Sequence, residues 1–280
     1  MTRSSANSQF FALRGMPPAQ VQVAGAAYRL VSVFKHDFWA ATCLYELSGP
    51  AGASHMPRIV VKFGRQQDFC GLPLVWTAQF LADHEESIYR RLAGLAGVPR
   101  WAGRVGPSAY AIEYLDARPL DHFDVLPEGF FDSLRKIFDA LHDRGVAYCD
   151  GNKRSNILVG PDGQPFLVDY QLSIRHRDDL PWPLRPLWNA VVRYMADKDF
   201  YHLYKHKRRL SPGELTAEEL DLSRRRGPLV VLHRKLSKPY RALRRGFLRR
   251  RYEKGMLVSP TAQLEDHHQP EKATWRTKNS

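Results

Sequence analysis

Asp150 and Asp169 bracket a short stretch of sequence in which strand, turn and strand follow one another. Asn156–Val159 is apolar, Pro161-Asp162-Gly163 is a turn, and Phe166–Val168 is apolar again. A hairpin of that size brings its two ends together. The two carboxylates and the Asn156 amide would then converge on one spot. Few oxygen donors, completed by phosphate oxygens, suit Mg2+. A metal that neutralises phosphate charge and a carboxylate that orients a hydroxyl are what phosphoryl transfer needs. Two further residues fit that chemistry. Lys62 ends the β-branched run Arg58-Ile59-Val60-Val61-Lys62-Phe63 and could offer a cation to phosphates. Glu85, with Glu86 as the alternative, lies on the helix that follows and could position that lysine.

The elements that must hold these residues are legible in outline. Tyr28–Phe34 and Ala41–Leu47 read as strands joined by Lys35-His36-Asp37-Phe38-Trp39. Leu74–Leu95 carries Phe80, Leu81, Ile88, Leu92 and Leu95 at helical spacing. Tyr110–Leu115 reads as a strand. Pro127 opens a helix to about Arg144 with Phe130, Phe131, Leu134, Ile137, Phe138 and Leu141 on one face, and Gly145 stops it. Strands come first and helices second, which predicts an α+β protein with a small N-terminal lobe and a larger C-terminal one. The predicted organisation is a flexible arm over 1–24, an N-lobe over 25–115, a C-lobe with a basic helical block over 116–257, and a disordered tail over 258–280. The hinge is expected between Glu113 and Leu120.

With these residues in order, the chain resembles the protein-kinase-like superfamily, most of all its compact bacterial branch of lipopolysaccharide (Kdo/heptose) kinases and RIO-like kinases. Leu141–Asp150 resembles the stretch that ends in H-R-D. Asn156-Ile157-Leu158-Val159 resembles its N-I-L-V strand, Val168-Asp169-Tyr170-Gln171 its D-F-G region, and Val60-Val61-Lys62 its third-strand lysine. The resemblance implies a bilobal kinase-like fold with an antiparallel-sheet N-lobe and a mainly helical C-lobe. It implies ATP and Mg2+ as cofactors, with Mn2+ an alternative. Asp150 would be the catalytic base, and Asn156 and Asp169 the metal ligands. Lys62 would bind phosphate and Glu85 would pair with it. Glu113 and Leu115 would meet adenine through their backbone, and Lys35 and Lys153 would serve the phosphates. The pattern departs from the family in five places, one being that no A-P-E stretch or long activation segment follows Gln171. No glycine-rich loop precedes Lys62. Tyr148 and Cys149 stand before Asp150. Asn156 follows Asp150 by six residues, and Gln171 replaces the last glycine of D-F-G.

Charge adds a second theme. The chain has 280 residues and a formal net charge of +13. Residues 1–173 and 258–280 balance to zero, so the whole excess lies in 174–257. Within it, Tyr201–Arg209 is a basic, aromatic run. Leu229, Leu232, Leu236, Tyr240, Leu243 and Phe247 form an apolar stripe whose other face is rich in Arg and Lys. Such a helix could lie on an anionic membrane or pack on the C-lobe, and its basic face could also meet a phosphorylated substrate. A nucleic-acid partner is not expected, because no recognition module is visible. No apolar run is long enough for a membrane span, and no secretory leader precedes Pro18. Three cysteines without C-x-x-C spacing give neither a disulfide framework nor a zinc site. Cys149 is expected to be a core residue and His142 a structural one. A cytoplasmic protein, peripheral at the inner face of the membrane, fits these features. The expected partners are ATP, a hydroxyl-bearing acceptor on a glycolipid or protein, and an anionic membrane surface. The competing reading is a kinase-like scaffold without activity.

Overall fold

The computed structural model describes residues 9–49, 55–224, 246, 259–261 and 264–265. The basic amphipathic helix expected over 229–247 lies outside them, apart from Gly246. The chain is α+β and divides into two compact units. The first holds Met1–Asp83, Ala102–Tyr114 and Gly227–Ser280. The second holds His84–Trp101 and Leu115–Arg226.

Among the described residues, antiparallel strands build a six-stranded sheet in the order β1-β2-β3-β4-β6-β5. The strands are β1 (Gln20–Val23), β2 (Ala26–His36), β3 (Ala40–Leu47), β4 (Arg58–Gly64), β5 (Trp101–Gly106) and β6 (Ala109–Glu113). Alternation along β4 explains the position of Lys62. Ile59, Val61 and Phe63 are buried in the core with Tyr28, Val33, Cys43, Tyr45 and Ala111, so Lys62 projects from the opposite face. Its register neighbours are Thr42 on β3 and Tyr110 on β6. Each aliphatic or aromatic side chain buried here contributes about 1.5–3 kcal/mol.

Two expectations bear on this unit. The predicted flexible arm, residues 1–24, includes strand β1 and the buried residues Phe11, Ala12 and Leu13. Arg65 is fully buried and donates to the Gln9, Phe11, Phe38 and Asp68 carbonyls, with its guanidinium 4.0 Å from the Phe38 ring centroid. A buried cation needs such partners, and backbone carbonyls of the arm (Gln9, Phe11) and of Phe38 and Asp68 supply them. Thr261, Leu264 and Glu265, within the tail read over 258–280, also contribute. The register of β1 covers only Ala26–Arg29 of β2, which leaves the edge beyond open. The Leu264 carbonyl accepts from the Val33 N–H at 3.3 Å, and Thr261 and Glu265 are buried. His36 accepts from the Leu13 N–H and donates through Nδ1 to Thr261 Oγ1 at 3.0 Å, tying Leu13 and Thr261 to β2.

The helix α1 (Val75–Arg91) forms as expected, but with a rotated face. Ala78, Ala82, Glu85, Ile88 and Tyr89 are buried, whereas Phe80 is exposed. In the second unit, α2 (Phe130–Asp143) buries the six apolar residues read from its spacing. Gly145 follows with φ 67°, and a Cβ there would stand 2.9 Å from the His176 ring, so glycine is required on both counts. β9 (Ile157–Val159) pairs antiparallel with β10 (Pro165–Leu167), and β7 (Arg118–Pro119) adds to β9. β8 (Val146–Ala147) pairs with β11 (Ile174–Arg175). The 27-residue α3 (Leu184–Leu210) and the short α4 (Ala217–Leu222) complete the unit, the latter opened by a Thr216/Glu219 capping box.

Candidate active site

The pairing of β9 with β10 sets Ile157 opposite Leu167, and the Val168 N–H donates to the Asn156 carbonyl at 3.0 Å. The ends of the hairpin therefore meet. Asn156 is buried, and its Nδ2 donates to Asp150 Oδ2 at 2.7 Å. Lys153 Nζ lies 3.8 Å from Asp169 Oδ2. Burial is the largest influence on Asp150 and raises its pKa. Lys153 opposes it, the Asp169 charge adds to it, and the Asn156 hydrogen bond opposes it; the net direction is upward. Asp150, Lys153, Asn156 and Asp169 thus form one electrostatic cluster within the second unit.

The backbone here is unusual. Cys149 has φ 66° and Asp169 has φ 65°, both in the left-handed region that costs a residue with a Cβ about 1–2 kcal/mol. Asp199 holds the first of these in place. It lies on α3, is fully buried, and accepts from the Tyr148 N–H at 2.7 Å, the Cys149 N–H at 2.8 Å and His142 Nε2 at 3.1 Å. Burial pushes its carboxyl up, against those donors. Sequence reading missed Asp199. The available signal was its place on the stripe Val192, Asp199, Leu203, where a carboxylate interrupts an apolar helix face.

An aromatic stack links the two loops. The Tyr148 ring is 5.3 Å from that of Tyr170, which is 5.1 Å from that of Tyr89 on α1. The Tyr148 hydroxyl donates to the Val168 carbonyl at 2.5 Å. His84, also on α1, donates to the Ser173 carbonyl at 2.8 Å, and the Ser173 hydroxyl donates to the Tyr148 carbonyl. Glu85 is buried one helical turn before Tyr89. Burial, with Asp199 nearby, pushes the Cys149 thiol up to about 12, so it is no nucleophile at neutral pH.

The other residues read from the sequence lie as follows. Lys62 and Glu113 are in the first unit, on β4 and at the end of β6, where Glu113 stands opposite Ile59. Leu115 is half-buried at the start of the second unit's Leu115–Arg226 segment. Lys35, near the end of β2, forms an ion pair at 2.5 Å with Asp37 in the turn that follows.

The donor set can be tested against Mg2+. Among the described residues, no group of three or more His, Cys, Asp or Glu could hold a metal. The cluster instead joins two carboxylates to one amide. With Nδ2 committed to Asp150, Asn156 offers Oδ1. Two hard oxygen donors from protein, Asn156 Oδ1 and an Asp169 carboxylate oxygen, with the rest from water and phosphate, suit Mg2+ and not a soft metal.

No family model and no curated protein matches the chain. Solved structures do match. Rio2 kinase from Chaetomium thermophilum in an ADP/Mg2+-phosphoaspartate complex is similar at 14% identity and a TM-score of 0.49, over 71% of this chain and 59% of that one. A second structure of that Rio2 kinase gives 15% identity and a TM-score of 0.47, over 71% of this chain and 61% of that one. The chain thus spans about three-fifths of the length of these Rio2 kinases.

Proposed function

We propose that this chain is a protein-kinase-like phosphotransferase that moves the terminal phosphoryl group of ATP, with Mg2+, to a hydroxyl acceptor. The observation that supports this reading most is Asp150. It stands on a strained turn anchored by buried Asp199, bonded to Asn156 and in the field of Lys153 and Asp169. A carboxylate whose pKa is raised by burial and a like charge is a better proton acceptor than a free one, which suits it to orient and deprotonate a hydroxyl. Asn156 and Asp169 would hold Mg2+, which when bound neutralises phosphate charge. Lys153, beside both carboxylates, would keep the site from repelling an anionic nucleotide. Lys62 and Lys35 would bind phosphates, Glu85 would pair with Lys62, and the backbone of Glu113 and Leu115 would meet adenine.

The acceptor in this reading is a sugar hydroxyl of a glycolipid, such as a lipopolysaccharide core sugar, or a protein Ser/Thr. The charge excess of 174–257 supports work at an anionic membrane's inner face. Turnover of ATP, with lipopolysaccharide and a generic protein acceptor offered in parallel, tests the proposal. Wild type should turn over only with Mg2+ or Mn2+. Turnover that is absent under all these conditions, in a protein that still binds partners, would instead support the scaffold reading.

A further inference from the structure

The basic run Tyr201–Arg209 plays no part in the chemistry above, yet α3 carries it directly against the loop that presents Asp150. Lys198, His202, Lys205 and Arg209 recur at spacings of four, three and four, one stripe of the helix. Lys205 Nζ donates to Asn152 Oδ1 at 2.6 Å. His206 Nε2 donates to the Gly151 carbonyl at 2.9 Å. A Cβ on Gly151 would stand 3.4 Å from the His202 Cβ, so loop backbone and helix are in contact. The loop itself adds Lys153 and Arg154. We propose that this face of α3, with Arg154, binds the phosphomonoester group of an already phosphorylated acceptor and sets its hydroxyl toward Asp150. This rests on the kinase reading and names its substrate class.

Three observations favour that ligand. First, three carboxylates of the unit are engaged elsewhere. Asp199 serves the Tyr148 and Cys149 amides, and Asp132 and Glu219 pair with the buried Lys207. Second, the positive charge is supplied by Lys and Arg. Burial is the main cause that holds both His202 and His206 at about 4, aided by Lys205 at each, so both rings are neutral at physiological pH and the face keeps its charge across that range. Third, Lys198 to Arg209 spans about 16 Å of helix. That length and charge match a dianionic group or two, not a long polyanion.

The experiment measures binding of glucose 1-phosphate and of glucose by titration calorimetry. Phosphatidic-acid vesicles and ATP are assayed in parallel arms. Wild type should bind glucose 1-phosphate at least about tenfold tighter than glucose. Arg209→Gln, at an exposed position, should weaken it about three- to tenfold, and Lys205→Gln with Arg209→Gln by more than about tenfold. Variant-sensitive binding confined to the vesicles supports the site and makes its source a lipid headgroup. Variant-sensitive binding of glucose 1-phosphate without any binding of ATP leaves the anion site standing and overturns the kinase reading. Equal affinity for glucose and glucose 1-phosphate, with vesicle binding unchanged in both variants, overturns the anion site, whatever ATP does.

Discussion

Asp37 and Asp150 each sit beside a lysine in a tight turn, one in each unit. Around Asp37 burial pushes the carboxyl up, but Lys35 at 2.5 Å and the N–H groups of Ala40 and Trp39 outweigh it, and the pKa falls. Around Asp150 burial is joined by the charge of Asp169, and Lys153 and Asn156 do not overcome them, so the pKa rises. The partners differ in kind. Asp37 accepts from the backbone of its own turn, as a turn former does. Asp150 accepts from a side chain six residues away, and its turn is anchored from another helix by Asp199. The same pair of residue types is in one case local structure and in the other a group poised for proton transfer.

The largest effect expected from this contrast is on turnover. Asp150→Asn should lower it by about 10^2- to 10^4-fold while ATP affinity stays within about threefold, as steady-state and binding assays would show. Wild-type turnover in that variant would reduce Asp150 to a second Asp37. Next comes the anchor. Asp199→Ala leaves two backbone N–H groups and His142 without their acceptor, and should cost about 3 kcal/mol in denaturant unfolding. Asp199→Asn keeps an acceptor oxygen and should recover part of that stability. Its turnover should stay depressed, because Cys149 and Asp150 lose their fixed position. Full turnover in Asp199→Asn would show that the strained turn needs no anchor.

The pH dependence separates the two aspartates by sign. A base must be deprotonated, so kcat/KM should rise with pH through a midpoint above the ordinary aspartate value of about 3.9. Lys153→Gln removes a group that lowers the Asp150 pKa, and should move that midpoint further up. A midpoint that moves down would contradict the assignment. Asp37, whose folded pKa is depressed, contributes stability that is present above its unfolded value and lost as pH falls through the folded one. The pair with Lys35 is more than a third exposed, so Asp37→Asn should cost less than about 1 kcal/mol at neutral pH, and less still in acid.

Much of this contrast was legible from the sequence on one side only. The hairpin from Asn156 to Val168, the α2 face and the β4 alternation depend on neighbours within a few residues, and spacing reveals such patterns. Asp199 lies 50 residues from Cys149, and no local pattern announces a partner at that distance. The rotation of α1 has a similar origin. Its buried side carries small alanines and Glu85, which a reading based on large apolar residues passes over in favour of Phe80. The arm and the tail were read as loose because they are polar. Of their described residues, Gln9, Thr261 and Leu264 are held through hydrogen bonds to Arg65, His36 and the edge of β2, which composition does not display.

The account stands most directly on metal-dependent nucleotide binding at Asp169. ATP affinity should be measured by calorimetry with and without Mg2+ for wild type and Asp169→Ala. Mg2+ should tighten wild-type binding by at least about tenfold and leave the variant nearly unchanged. Equal tightening in both proteins, or wild-type affinity indifferent to Mg2+, would contradict it.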